Sequence, residues 1–233
     1  MATIGVMSGG APKEVFTLLT PQYEKQSGHT IAFSYAVMTA IKEKLAAGEM
    51  PDILVMPVPL LDGLMNEGKV RAQGRATLGL VGISVVVREG APKLDISTPE
   101  KFRQTLLDAR AVVHATPGAT PSGTHMGKLI EQLAIAAAMK SKIIHRPALD
   151  GGVQLVATGE ADLGIYPTSE IVNIAGLAVA GPLPAALQLT IVYGAAVTTA
   201  SAAAEPAMQF LKYLTDPTHR AQWAKAGFQP PAV

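Results

Sequence analysis

Thr3-Ile4-Gly5-Val6-Met7-Ser8-Gly9-Gly10-Ala11-Pro12 is the stretch from which the fold is read. A short apolar run stops at a small polar loop, and helical spacing begins at once through Val15, Phe16, Leu18, Leu19 and Tyr23. The succession is strand, glycine loop, helix. It then recurs: residues 29–35 alternate as a strand does, 39–47 read as a helix stopped by Gly48, and 52–56 form a buried-strand run.

Working outward, residues 60–67 make a short helix closed by Gly68, and 78–88 read as one long apolar strand with Gly79 and Gly82 inside it, suited to connecting two lobes. Thr98-Pro99-Glu100 opens a helix with a capping residue and proline at its first position, and 111–115 is the next strand. A Pro/Gly/Thr/Ser loop follows at 116–124. Residues 126–139 then read as one alanine-rich helix with Ile130, Leu133, Ala134 and Ala137 on a single face. Strands at 142–145, 163–166, 176–179 and 189–198, a short helix at 151–158, and a helical tail over 202–226, interrupted at Asp216-Pro217, complete the set. No internal repeat or low-complexity linker is visible. Alternating strands and helices predict mostly parallel sheets covered on both faces, the α/β class.

Composition narrows the function. The 233 residues are 48% hydrophobic, enough for a substantial core. Only 16% are charged, with 19 basic against 18 acidic, so no field of one sign exists to hold nucleic acid or an anionic membrane. Any charged ligand is therefore recognised locally. The absence of cysteine removes thiolate catalysis, disulfides and cysteine-ligated zinc. Apolar stretches such as 78–87 and 129–139 fall short of the roughly 20 residues a spanning helix needs. Met1-Ala2-Thr3 leads straight into the first strand, with no basic segment, long apolar segment or cleavage site ahead of it. Taken literally that is cytoplasmic; a start placed before a mature sequence reads the same.

In an open α/β sheet, ligands sit beyond the C-terminal ends of strands, where loops feed helix starts whose free N–H groups and dipole attract anions. Two loops qualify, one in each half of the chain. Met7-Ser8-Gly9-Gly10-Ala11 offers a hydroxyl and closely approachable amides; the loop from Ala115 to His125, with Ser122, Gly123 and Thr124, offers hydroxyls and a histidine before a long helix. Either loop alone also reads as a tight turn with a helix cap. His125 is a candidate general base or an ordinary first-turn histidine. Tyr166 ends a buried strand, where its hydroxyl serves a cleft or a core edge. His145-Arg146 offers a carboxylate partner or a solvated rim charge. Other motifs fail. Gly9-Gly10 lacks the lysine and spacing of a phosphate loop and the dinucleotide fingerprint, and Ser8 lies in no GxSxG elbow. His29, His114, His125, His145 and His219 show no zinc-ligand spacing, so neither a metal nor a cofactor is expected.

Residues 47–55, Pro121-Ser122-Gly123-Thr124, residues 159–166 and the closing tail from Phe210-Leu211 to Gly227-Phe228 together resemble the molybdate-binding periplasmic proteins of ABC importers, nearly end to end. The resemblance implies the two-lobed type II periplasmic binding protein fold, each lobe a mixed, mostly parallel sheet flanked by helices. It implies a first lobe from 1–82 and 195–233, a second from 83–194, a ligand in the inter-lobe cleft, and secretion to the periplasm with removal of a signal sequence. Family oxyanion ligands map onto Ser8, Gly9, Gly10 and Ala11; Val37, Met38 and Thr39; Ser122 and Gly123; Asp150 and Gly151; and Tyr166. The chain departs from the pattern where Ala36-Val37-Met38-Thr39 replaces a serine-rich loop, where Ala11 replaces a serine, and where Pro167 follows Tyr166.

A tetrahedral oxyanion needs many convergent donors, because each unpaired buried polar atom costs about 1 to 3 kcal/mol. Fewer donors and more apolar surface predict a ligand with carbon on it, a small carboxylate rather than molybdate or tungstate. The expected role is a monomeric carrier working with an ABC permease, without nucleic acid. The rival is an isomerase: aconitate isomerases resemble the same family, and His125 would then be the base, with Ser8, Thr39, Ser122 and Thr124 as carboxylate clamps. A regulator's effector domain is a third reading, disfavoured by the lack of a helix-turn-helix segment.

Overall fold

The apolar run at the start becomes β1 (Thr3–Ser8), whose Ile4, Val6, Met7 and Ser8 are buried. Thereafter come α1 (Lys13–Ser27), β2 (Thr30–Tyr35), α2 (Met38–Ala46), β3 (Ile53–Pro57), α3 (Val58–Asn66), β4 (Val70–Val81) and β5 (Ile83–Arg88). Next are α4 (Pro99–Asp108), β6 (Val112–Ala115), α5 (Pro121–Gln132), α6 (Ala136–Met139), β7 (Ile143–Arg146), α7 (Val153–Thr158), β8 (Leu163–Pro167), α8 (Thr168–Ile171) and β9 (Leu177–Pro182). β10 (Ile191–Thr198), α9 (Ala204–Leu214) and α10 (Arg220–Lys225) close the chain. This computed structural model describes residues 1–147 and 152–230.

Two compact units result: Met1–Val81 with the segment from Ile191 onward, and Gly82–Thr190. The first holds a sheet ordered β2-β1-β3-β10-β4, the second a sheet ordered β7-β6-β8-β5-β9. In each, four strands point one way and one runs against them, β10 in the first and β5 in the second. The class is therefore α/β with mixed, mostly parallel sheets. One face of the first sheet packs Met7, Met38, Ile41, Leu54, Met56 and Leu61 together. An aromatic cluster joins Phe16 to Phe33 and Trp223, and Trp223 to Phe228. In the second unit, Val85, Phe102, Leu106, Met126 and Ile165 fill one face and Val86, Val113, Val156 and Tyr166 the other. Burial of each such side chain contributes roughly 1.5 to 3 kcal/mol.

Two expectations need correction. The long strand over 78–88 is two strands in different sheets, divided at Gly82, and the first of them begins at Val70. Its opening half escaped notice because Arg71, Ala72 and Gln73 are exposed, so no apolar alternation marks it. The helix over 126–139 begins earlier, at Pro121, and ends at Gln132: Ala134 takes a left-handed φ of 53°, which turns Ile135 into the core before α6 resumes.

A repeat also exists in space that the sequence conceals. Asp52 Oδ2 accepts the Gly5 N–H at 2.8 Å, and Asp162 Oδ2 accepts the Arg110 N–H at 2.7 Å, each aspartate preceding a central strand and tying the start of its neighbour. Pro57 and Pro167 then end those strands with the same backbone, φ −52° and ψ 134°, and each leads directly into a helix. Only Gly-Glu, Asp and Pro recur at these places, too few letters for sequence periodicity to register.

Candidate functional site

In the first unit, the loops at the C-terminal ends of β1 and β2 are stitched together. The Ala36 N–H donates to the Ser8 carbonyl at 3.1 Å, and the Gly9 N–H donates to Val55 at 3.2 Å. Ser8 is fully buried and its hydroxyl donates to the Gly9 carbonyl at 2.8 Å, so it turns into the loop. A methyl group added at Gly9 would lie 2.7 Å from Met38 Cε, 3.8 Å from Tyr193 Cε1 and 4.0 Å from Tyr193 Oη. Gly9 is thus small because a thioether and a phenol close over it. Gly10 is exposed, Ala11 buried and Thr39 exposed.

The helix starts beside this loop have no side-chain caps. α1 follows Pro12, and α2 follows an extended Val37 (φ −69°, ψ 156°), so no cap oxygen occupies the first-turn amides. Such amides are where a helix accepts an anion. The Lys13 ammonium lies 5.4 Å from the centre of the Tyr35 ring at the end of β2, and burial pushes the Tyr35 hydroxyl up to about 12.

The second unit treats its loop differently. Thr120 caps α5, its hydroxyl accepting the Gly123 N–H at 3.0 Å and sharing a 3.1 Å hydrogen bond with the Ser122 hydroxyl. The Thr124 hydroxyl donates to the Thr120 carbonyl and accepts the Gly118 N–H, both at 3.0 Å, while the Thr116 hydroxyl donates to the Arg146 carbonyl at 3.1 Å. A side chain at Gly123 would strike the carbonyls of Ala115 and Thr116, so the helix start rests directly on the end of β6. The loop's hydroxyls therefore hold the loop itself.

His125 Nε2 lies 2.7 Å from the Leu187 carbonyl. A carbonyl only accepts, so Nε2 carries the proton and Nδ1 is left as the basic nitrogen of the neutral ring. Tyr166 is 1% exposed and its hydroxyl, among the described residues, has no hydrogen-bond partner. Burial raises that phenol's pKa, and the Glu170 charge adds to the effect while Arg146 opposes it. A buried hydroxyl left alone costs about 1 to 3 kcal/mol, which marks Tyr166 as a donor in want of an acceptor. Asp150 and Gly151 lie outside the described residues. A groove of about 820 Å³ along β9, lined among others by Lys93, Ile96, Leu183 and Gln188, contains none of the expected residues.

The residue reading did not name Tyr193, whose ring lies beside Gly9. It looked to the C-terminal ends of strands, whereas β10 runs antiparallel: its pairing of Tyr193 with Pro57 sets the beginning of β10 at the end where β3 finishes. Only the topology carries that signal. Among the described residues no cluster of three metal-ligating side chains occurs, and no helix is long and apolar enough to cross a membrane.

A pair of mixed five-stranded sheets with small-residue loops at the strand ends is the type II periplasmic binding protein fold. The chain belongs to the family described as bacterial extracellular solute-binding protein, whose model matches residues 4–229. It is 31% identical over 238 aligned positions to an aconitate isomerase from Pseudomonas sp., covering 99% of this chain and 88% of that protein. The periplasmic molybdate-binding protein of Azotobacter vinelandii superposes with a TM-score of 0.81 at 20% identity, covering 98% of this chain and 100% of that one. L-phospholactate-bound PEB3, a protein of Campylobacter jejuni, superposes with a TM-score of 0.73 at 14% identity, covering 97% and 99%.

Proposed function

We propose that this protein is a periplasmic carrier that captures a small organic carboxylate, with two or three carboxyl groups, and delivers it to an ABC permease. The observation that carries this reading is the environment of Gly9, where Met38 and Tyr193 supply apolar and aromatic surface beside uncapped helix starts. The hydroxyls of Ser8 and Thr124 donate to the protein's own backbone. A tetrahedral inorganic oxyanion would meet too few donors there; carboxylate ends on a carbon skeleton suit amides flanked by a methyl and a ring. The relative named aconitate isomerase points in the same direction, toward a tricarboxylate.

A thermal-shift screen of molybdate, tungstate, sulfate, succinate, citrate and the two aconitates tests this. A ligand bound only by the folded form stabilises it by about 2.7 kcal/mol at a hundredfold excess over Kd. The largest shift is expected from a di- or tricarboxylate; a strong molybdate response with silent carboxylates rejects the proposal.

A second reading, isomerisation of the bound tricarboxylate, is favoured by the tautomer of His125 as well as by that relative. Nδ1 would take a proton from the methylene carbon of aconitate and return one to the olefinic carbon, moving the double bond by one position with composition unchanged. Buried donors such as Tyr166 would steady the negative charge that builds on the carboxylates. Proton NMR of cis- or trans-aconitate incubated with the protein separates the readings: isomer interconversion abolished by His125→Ala establishes the enzyme, and a constant ratio leaves the carrier.

A further inference from the structure

The second unit has open room that the candidate site does not use. The groove along β9 has a volume of about 820 Å³, inside the roughly 300 to 1,000 Å³ span of small-molecule sites. Small residues leave that room: β9 ends in Ala180, Gly181 and Pro182, and a methyl added at Gly181 would meet nothing nearer than Ile96 Cδ1, at 3.7 Å. Ile96, Leu183 and Pro184 are buried and make the floor, the first two continuous with the apolar core on that face of the sheet. The polar groups around it are nearly all spent. Asp95 accepts the Ser97 N–H and hydroxyl at 3.1 and 2.7 Å and pairs with Lys101 at 2.6 Å, and both ends of the Gln188 amide are bonded to Ile83. Lys93 is exposed, and none of the ion pairs among the described residues includes it. An apolar floor with one unpaired ammonium at its rim is what remains.

We infer that this groove is a second ligand site, taking a monoanion with a short aliphatic chain: the chain lies on Ile96, Leu183 and Pro184, and the carboxylate pairs with Lys93. It is independent of the site at the glycine loop, and the proposal does not rest on the carboxylate reading given there. Charge complementarity selects the head group, since Asp95 is already neutralised by Lys101 and only the cation at the rim lacks a counter-charge. The floor selects the tail, because burying CH₂ groups there removes apolar surface of both partners from water. A polypeptide strand suits the place less well. β9 is the outermost strand of its sheet, but a register shift opposite Val85 and Val86 and the missing N–H of Pro182 interrupt the edge to which a strand would add.

Titration calorimetry of the full chain with butanoate, hexanoate and octanoate tests the proposal. Affinity should rise about two- to fourfold for each added CH₂, as transfer of a methylene out of water requires. Lys93→Glu should weaken octanoate binding at least about fivefold, as expected on losing and reversing an exposed charge pair. Ala185→Phe, which fills the exposed end of the groove, should weaken it comparably, and saturating trans-aconitate should leave octanoate affinity unchanged. Octanoate that does not bind at millimolar concentration overturns the proposal, as does binding that ignores chain length or both substitutions. Displacement of octanoate by trans-aconitate would place it at the other site and equally overturn this one, leaving the carboxylate reading untouched. Should a variant fold poorly, amide NMR of the unaltered chain decides: the signals of Ser97, Ala180 and Ala185 must move with octanoate, and signals that stay fixed at saturation reject the groove. An uncharged extended peptide, run in parallel, should move none of them; a response to the peptide without one to octanoate would give the edge to a strand partner and overturn the inference.

Discussion

The two units are built on one plan and finished differently. Their sheets share an order, a single opposed strand, an aspartate that ties the neighbouring strand and a proline that ends the central one. Matching strand registers pairs Ser8 with His114, since the first faces Val55 and the second Ile165. Both are fully buried, and each side chain bonds the carbonyl of the residue that follows, at 2.8 Å. The aromatic residues, however, have changed places. The second unit carries Tyr166 where the first has Met56, and the first carries Tyr193 where the second has Ile83. Helix starts differ as well: α5 is capped by Thr120, while α1 and α2 have no side-chain cap. The scaffold is thus held in common, and a few side chains at strand and helix ends set which donors each unit presents there.

The comparison breaks most visibly at the loop glycines. Gly123→Ala drives a methyl into two backbone carbonyls that have nowhere to go, and urea unfolding should show a loss of about 3 kcal/mol or more. Nearly as large is the response of His114 to acid. Burial first, and His145 to a lesser extent, hold its imidazole at about 4 against 6.5 when exposed, so the unfolded chain takes up the proton earlier. Stability should therefore decline as pH falls below about 6.5 and level off near 4, by up to about 3 kcal/mol, and His114→Phe should flatten that part of the curve. A slope that survives the substitution would assign it elsewhere.

Thr120→Ala removes the cap from α5 and should cost about 1 kcal/mol in chemical denaturation, bringing the second unit's helix start closer to the condition of the first. The smallest stability change is expected for Gly9→Ala. The added methyl clashes only with the flexible end of Met38 and makes ordinary contact with Tyr193, so unfolding should shift by less than about 1 kcal/mol. Carboxylate affinity should nonetheless fall about tenfold, because the approach to the loop narrows. Comparable destabilisation by Gly9→Ala and Gly123→Ala would erase the distinction between the two loops.

Much of this arrangement is legible in the letters alone. Strands followed by small polar loops and then by helical spacing specify the α/β class, because each step follows from local periodicity. What escaped has physical causes. The first half of β4 is solvated and shows no apolar alternation; Ala134 adopts a conformation that no residue type announces. The engagement of Ser8, Thr120 and Thr124 with nearby backbone is invisible in sequence, since a hydroxyl that binds ligand and one that binds its own loop are spelled alike. Tyr193 stands beside Gly9 only because β10 runs backwards, a long-range pairing that no window of adjacent residues encodes.

Gln188 bears on how such a molecule is assembled. Its side-chain amide accepts the Ile83 N–H at 2.8 Å and donates to the Ile83 carbonyl at 3.0 Å, standing in for a strand residue at the point where the chain comes into and departs from the second unit. The two extremities of residues 82–190 are thereby fastened side by side. A polypeptide segment with joined extremities can be spliced into a host loop, or excised from it, without stretching either one, so this unit has the makings of a transplantable cassette.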